Sequence, residues 1–156
     1  MNVKLTRRMR TEILVESDPG IAQGLAELVE HEAPVSVLTA PHQGLVMCQV
    51  RETARNSRFY LGEVLVTECR VDVAGEEGLG VVVGTDAAHA RALAVVDAAF
   101  SQKAPLACQE ELERRIFAAG DALAVRRRED DARIYVSRVE FDEMSGQDMS
   151  VQAVVK

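Results

Sequence analysis

At 156 residues the chain has room for one domain with a real core and is short for two. A formal net charge of -7 disfavours nucleic acid, whose binding rests on neutralising phosphates with Lys and Arg, and no apolar run reaches membrane-spanning length. The charged fraction is near the globular norm, which argues against disorder; with no Trp, two Tyr and four Phe, the core has to be built from Val, Leu, Ile and Ala.

Residues 4–16 have the spacing of a helix with Leu5, Met9, Ile13 and Leu14 on one side. Ser17-Asp18-Pro19-Gly20 breaks the chain and restarts it, with Asp18 as N-cap and Pro19 at the first helical position. A second helix carries Ile21, Leu25, Leu28 and Val29 on its apolar side and stops before Pro34. Val35 to Thr39 reads as a short strand, Pro41-His42-Gln43-Gly44 as a turn, and Leu45 to Arg51 as a second strand.

The longest strand signal runs from Arg58 to Val73. In its second half Leu65, Thr67, Cys69, Val71 and Val73 face one way and Glu68, Arg70 and Asp72 the other. Ala74 to Gly78 is a turn and Leu79 to Val83 the returning strand. Strands joined by such short links argue for an antiparallel meander. Asp86 caps a third helix that ends near Ser101, with Leu93, Val96 and Phe100 on its apolar side and Ala90, Ala94 and Ala98 beside them, small enough for close approach to the sheet. Another helix starts near Pro105, with Gly120-Asp121 as a kink or division, and Arg133 to Phe141 is β-rich enough to add an edge strand. The expected architecture is one α+β domain over 1–156: a meander sheet packed against N-terminal and C-terminal helices, with a core of about 5–144 and a tail, 145–156, prone to fray.

Three cysteines, Cys48, Cys69 and Cys108, are odd in number and form no C-x-x-C, and no secretory apolar region follows the basic opening residues. A cytoplasmic chain with reduced thiols is expected. The Arg126-Arg127-Arg128 run is followed at once by Glu129-Asp130-Asp131 and reads as a solvated helix face.

Glu63 is out of place. On an ideal strand it shares a side with Phe59, Leu61 and Leu65, where an uncompensated carboxylate costs several kcal/mol. Either a bulge at Gly62 turns it to solvent, or a partner's arginine or a ligand hydroxyl meets it at an interface. His89 lies one turn into its helix, on the same side as Leu93, and is expected to point at the sheet and the Gly84 turn. There a neutral imidazole can bond a backbone carbonyl, hold a metal or donate to a phosphate oxygen. Asp97 adjoins the apolar side of that helix and calls for Arg91 or a strand arginine. Gly78, Gly80 and Gly84 imitate a phosphate loop, but the spacing is not G-x-G-x-x-G and no Gly-Lys-Ser/Thr follows. The helix start after Gly84 remains an anion-friendly place, so a binding module for a phosphorylated small molecule is an alternative reading. No Ser-His-Asp order and no H-E-x-x-H can be assembled, no metal site suggests itself, and an independent hydrolase has little support.

Several spaced motifs taken together resemble the PhnG family of bacterial phosphonate-utilisation proteins. They are Gly44-Leu45-Val46-Met47, the run Phe59-Tyr60-Leu61-Gly62-Glu63, and the Gly78–Gly84 strand leading to Asp86, His89 and Ala90. Asp97-Ala98 follows, then Arg138-Val139-Glu140-Phe141 and Met144. The match departs at Thr85, where the family commonly has Arg, at Leu79, where an aromatic is usual, and at Phe141-Asp142-Glu143-Met144, a reduced form of Phe-Phe-Thr-Met. The resemblance implies an accessory subunit of the carbon–phosphorus lyase core complex, with the H, I and J subunits as partners and a functional link to the L protein. With the I, H and L proteins, family members support formation of alpha-D-ribose 1-methylphosphonate 5-triphosphate from ATP and methylphosphonate. The resemblance places catalysis on the I subunit and iron–sulfur radical chemistry on the J subunit. It implies no cofactor bound by this chain alone, and makes Gly62, Glu63, Gly84, Asp86, His89, Asp97, Arg138, Phe141 and Met144 its interface or motif residues.

Overall fold

A computed structural model describes residues 4–136. The order of elements is α1 (Arg7–Glu16), α2 (Pro19–Glu32), β1 (Val35–Arg51), β2 (Arg58–Val73), β3 (Glu76–Val83), α3 (Ala87–Phe100) and α4 (Gln109–Val136). The three strands form one antiparallel sheet in the order β1-β2-β3, and the fold is α+β as expected. The Thr6 hydroxyl accepts the Met9 N–H at the start of α1, and the Asp18 carboxylate accepts the Gly20 N–H ahead of Pro19 at the start of α2. With those caps in place, two separate helices form from what is otherwise one polar-apolar run.

α3 is the centre of the molecule. One side lies on β2 and β3 and the other is covered by α2 and α1, so ten of its fourteen residues are buried, among them Ala90, Leu93, Ala94, Val95, Val96 and Ala98. A helix that is apolar nearly all round is what such a middle layer requires. Thr67, Cys69, Val71 and Val73 of β2 meet it from the sheet, while Arg70 on the opposite face stays exposed, in agreement with the alternation of β2.

The structure departs from expectation in three places. Pro41 to Gly44 is no turn: β1 is a single strand of 17 residues paired with β2 along its length. The pairs Val37↔Val71, Thr39↔Arg70 and His42↔Glu68 show one extra residue on β1 at each step, so the turn-like residues lie within a bulged stretch. Pro41 is tolerated because β1 is an edge strand and a missing N–H there breaks no central ladder. The turn after β2 is tighter than expected, with β3 beginning at Glu76. Finally, α4 passes through Gly120-Asp121 undivided, and Arg133–Val136 belong to it rather than to an edge strand; the remainder of that candidate strand lies outside the described residues. Helix continuity is favoured by Leu112, Ile116, Ala119 and Leu123, which bury one side of α4, and by Arg127, which grips Glu12 and Glu16 of α1.

The β2–β3 link is the two-residue turn Ala74-Gly75, both in the left-handed region at φ 51° and 93°. An alanine there carries a steric cost of about 1 kcal/mol that asparagine largely escapes. Ala74→Asn is therefore expected to raise the thermal midpoint by roughly 2–4 °C, measured by circular dichroism; an unchanged or lower midpoint would show that the turn stores no strain.

Candidate functional site

The glycine pattern is a packing device. A Cβ on Gly80 would collide with the Ala90 carbonyl oxygen and the Ala94 nitrogen, and one on Gly78 with the Ala94 oxygen and the Ala98 nitrogen. Ala90, Ala94 and Ala98 recur every four residues along α3, so a glycine-striped strand and an alanine-striped helix lie backbone against backbone. The pairing was legible in part, from the alanines; that the glycines are its other half was not.

The corner around Gly84 is closed by its own chain. Gly84 turns with φ 93°, donates its N–H to the Leu65 carbonyl, and offers its own carbonyl to the buried Thr67 hydroxyl at 2.7 Å. Asp86 caps α3, its carboxylate accepting the His89 N–H at 2.9 Å. A carboxylate thus already occupies the place where an anion would bind. His89 is buried, but it faces α1 rather than the sheet: its Nε2 donates to the Leu14 carbonyl at 3.0 Å, a contact that requires the proton on that nitrogen. It ties the last turn of α1 to α3.

Asp97 carries the densest polar network, with partners other than those expected. Arg91 pairs with Glu30 on α2 instead. Arg7 meets Asp97 in bidentate fashion, Nε to Oδ1 at 2.9 Å and Nη2 to Oδ2 at 2.5 Å, while the Arg10 Nη2 reaches Oδ1 at 2.8 Å and the Leu79 N–H reaches Oδ2 at 3.2 Å. One carboxylate therefore joins α1, α3 and β3. Arg10 is almost wholly buried and its guanidinium lies 4.2 Å over the Phe100 ring. Burial pulls the Arg10 guanidinium below its ordinary value against the pull of Asp97, whereas the hydrogen bonds that the exposed Arg7 donates to Asp97 raise its own. Arg7 and Arg10 also line an open cleft of about 780 Å³ with Lys4, Phe100 and Glu113, but both arginines already face Asp97.

The distal half of the β1–β2 hairpin extends beyond the part of β2 that β3 pairs, which starts at Val66. Along this arm Leu45, Val46, Met47, Phe59, Tyr60, Leu61 and Leu65 are between 39 and 68% exposed. Cys48 pairs with Gly62 and Gln49 with Tyr60, so Leu61 is an extra residue and the strand bulges beside Gly62. The bulge changes the company of Glu63. It sits opposite Met47 on the face that continues Leu65 and Thr67, with Tyr60 in place of Phe59, and it is exposed. Its carboxylate is therefore hydrated, as the bulge alternative supposed, yet flanked by uncovered apolar side chains.

Cys69 and Cys108 are buried, and burial pushes both thiols up, Cys108 to about 11 with help from the adjacent Glu32, so neither is a ready nucleophile. Among the described residues no three His, Cys, Asp or Glu side chains converge as a metal site requires, and no helix is long and apolar enough to cross a membrane. Arg138, Phe141 and Met144 lie outside the described residues.

A family model described as phosphonate metabolism protein PhnG matches residues 5–146. The chain belongs to the PhnG family. It is 32% identical over 136 residues, 86% of this chain and 85% of the relative, to the alpha-D-ribose 1-methylphosphonate 5-triphosphate synthase subunit PhnG of Rhizobium meliloti (strain 1021). Of the residues through which the sequence resembles the PhnG family, Gly84, Asp86, His89 and Asp97 gather around α3, where they hold the fold together. Gly62 and Glu63 stand apart from them on the arm. Sequence reasoning missed Arg7 and Arg10; their only signal was a basic run on a helix that also carries Leu14 into the core.

Proposed function

We propose that this chain is a non-autonomous subunit of an alpha-D-ribose 1-methylphosphonate 5-triphosphate synthase complex, acting in the cytoplasm in the use of organic phosphonates. Membership of the PhnG family and the role named for the Rhizobium meliloti relative support this reading. The observation that carries it is the arm: a two-stranded ribbon is marginal in water, and this one keeps seven large apolar side chains uncovered. In this reading the arm packs on larger partners, the H, I and J subunits, with a functional link to the L protein. ATP and methylphosphonate are substrates of the assembly, and this chain alone binds no cofactor.

Co-expression with the H, I and J subunits is expected to yield one co-purifying complex; a chain that elutes alone and unbound refutes the proposal. On the lone chain, calorimetry with ATP and methylphosphonate is expected to be silent, and micromolar binding would instead favour a stand-alone module for phosphorylated ligands. Because Glu63 is exposed, Glu63→Ala is expected to leave the melting temperature of the isolated subunit within about 1–2 °C, in line with surface substitutions, and to weaken assembly measurably. The reverse ranking would make Glu63 a folding residue.

A further inference from the structure

Two features of the arm describe what covers it. The first is that its apolar groups lie on both faces. The pairing sets Leu45, Met47, Tyr60 and Leu65 on the face that continues the core, and Val46 and Phe59 on the opposite face. The second is the charge of its tip. Arg51, Arg55 and Arg58 are exposed there, and no acid pairs with them among the described residues. The one acid of that loop, Glu52, accepts from the Arg55 N–H and the Ser57 hydroxyl and is spent on the turn itself. A chain of net charge -7 thus ends this arm in a cluster of cations.

We infer that this arm inserts into a two-walled, largely apolar cleft of a different protein, which presents a basic or hydrogen-bond-donating group to Glu63 and whose acidic closed end receives Arg51, Arg55 and Arg58. The inference rests on the reading of the chain as a complex subunit and states how it docks. A flat partner covers one face of a ribbon and leaves the other wet, and so does a second copy joined about a two-fold axis through either face or through the β1 edge. An enveloping cleft removes both faces from water at once, which a single flat wall cannot do. Opposite charge at the cleft end steers entry and sets how deep the arm goes, since unpaired guanidinium groups tolerate no apolar floor.

The test uses the full chain co-expressed with the other subunits of the synthase complex. Cys48, half-buried on the arm in the free chain, reports on insertion, because Cys69 and Cys108 are buried in either state. Maleimide is expected to label Cys48 in the isolated chain and to label it at least about tenfold more slowly in the complex. The triple variant Arg51→Glu, Arg55→Glu, Arg58→Glu and, separately, Tyr60→Ser with Leu61→Ser are each expected to lower co-purification at least about tenfold. Their unchanged melting curves would separate docking from folding, and Val125→Ser, an exposed position on α4, is expected to assemble normally. If the wild-type chain assembles while Cys48 labels at the free rate and both arm variants assemble equally well, the inference falls and the subunit reading stands. Protection of Cys48 in the lone chain as a dimer would overturn it in favour of self-pairing. A wild-type chain that fails to assemble refutes the subunit reading and the inference with it.

Discussion

Gly80→Ala is expected to unfold the domain or leave it with a loosened core, although it adds a single methyl group. That methyl would sit where the Ala90 carbonyl oxygen and the Ala94 amide nitrogen already are. Overpacking usually costs 1–3 kcal/mol because side chains can rotate away; here the obstructing atoms are the backbone of α3, and relief requires the whole helix to lift from β3. A loss of more than about 3 kcal/mol follows, against a total stability of roughly 5–15 kcal/mol for a domain. Chemical denaturation of the purified variant measures it. Gly24, which has open space at its Cβ on α2, is the control: Gly24→Ala is expected to be neutral or stabilising by up to about 1 kcal/mol. Equal, small effects at the two positions would mean that the close contact between strand and helix does not exist in solution.

Asp97→Ala is expected to be the most damaging removal of a polar group. It deprives the buried Arg10 of its counter-charge and the Leu79 N–H of its acceptor, and stranding a buried charge in this way costs about 3–5 kcal/mol. Asp97→Asn keeps the shape and one acceptor but leaves the guanidinium uncompensated, so a smaller loss is expected. Arg7→Ala removes the exposed partner of the same carboxylate and should cost at most about 1 kcal/mol, since an exposed ion pair contributes little. The ranking Asp97→Ala, then Asp97→Asn, then Arg7→Ala in denaturant midpoint is the check. A flat series would mean that the network is decoration on a core held by apolar packing alone.

These two sites differ in how far they could be read beforehand. The small residues of α3 announced a close approach to the sheet, because a helix with alanine every fourth residue leaves room only for something flat. Asp97 announced only that it needed a cation. Its partners come from α1, some ninety residues away in the chain, while the nearer Arg91 turns to Glu30. His89 behaves in the same way: its position on α3 suggested the sheet and the Gly84 turn, and the packing of α1 against α3 decided that its target is the Leu14 carbonyl. For Glu63 the deciding event was local but invisible to an ideal alternation, since one extra residue at Leu61 exchanges the side chains that flank it.

What the amino-acid order determined by itself were the features that act within a few residues: the caps at Asp18 and Asp86, the alternation of β2, the end of α2 before Pro34, and the need for an Ala- and Val-built core. Tertiary structure alone decided the joining of Val35 to Arg51 into one bulged strand, the partners of Asp97 and His89, and the projection of a hairpin whose two faces find no cover in the chain's own described residues. The division has a physical cause. Capping and alternation are set by backbone geometry over one or two turns of chain, whereas a buried charge or an uncovered face takes its meaning from whichever surface is folded against it.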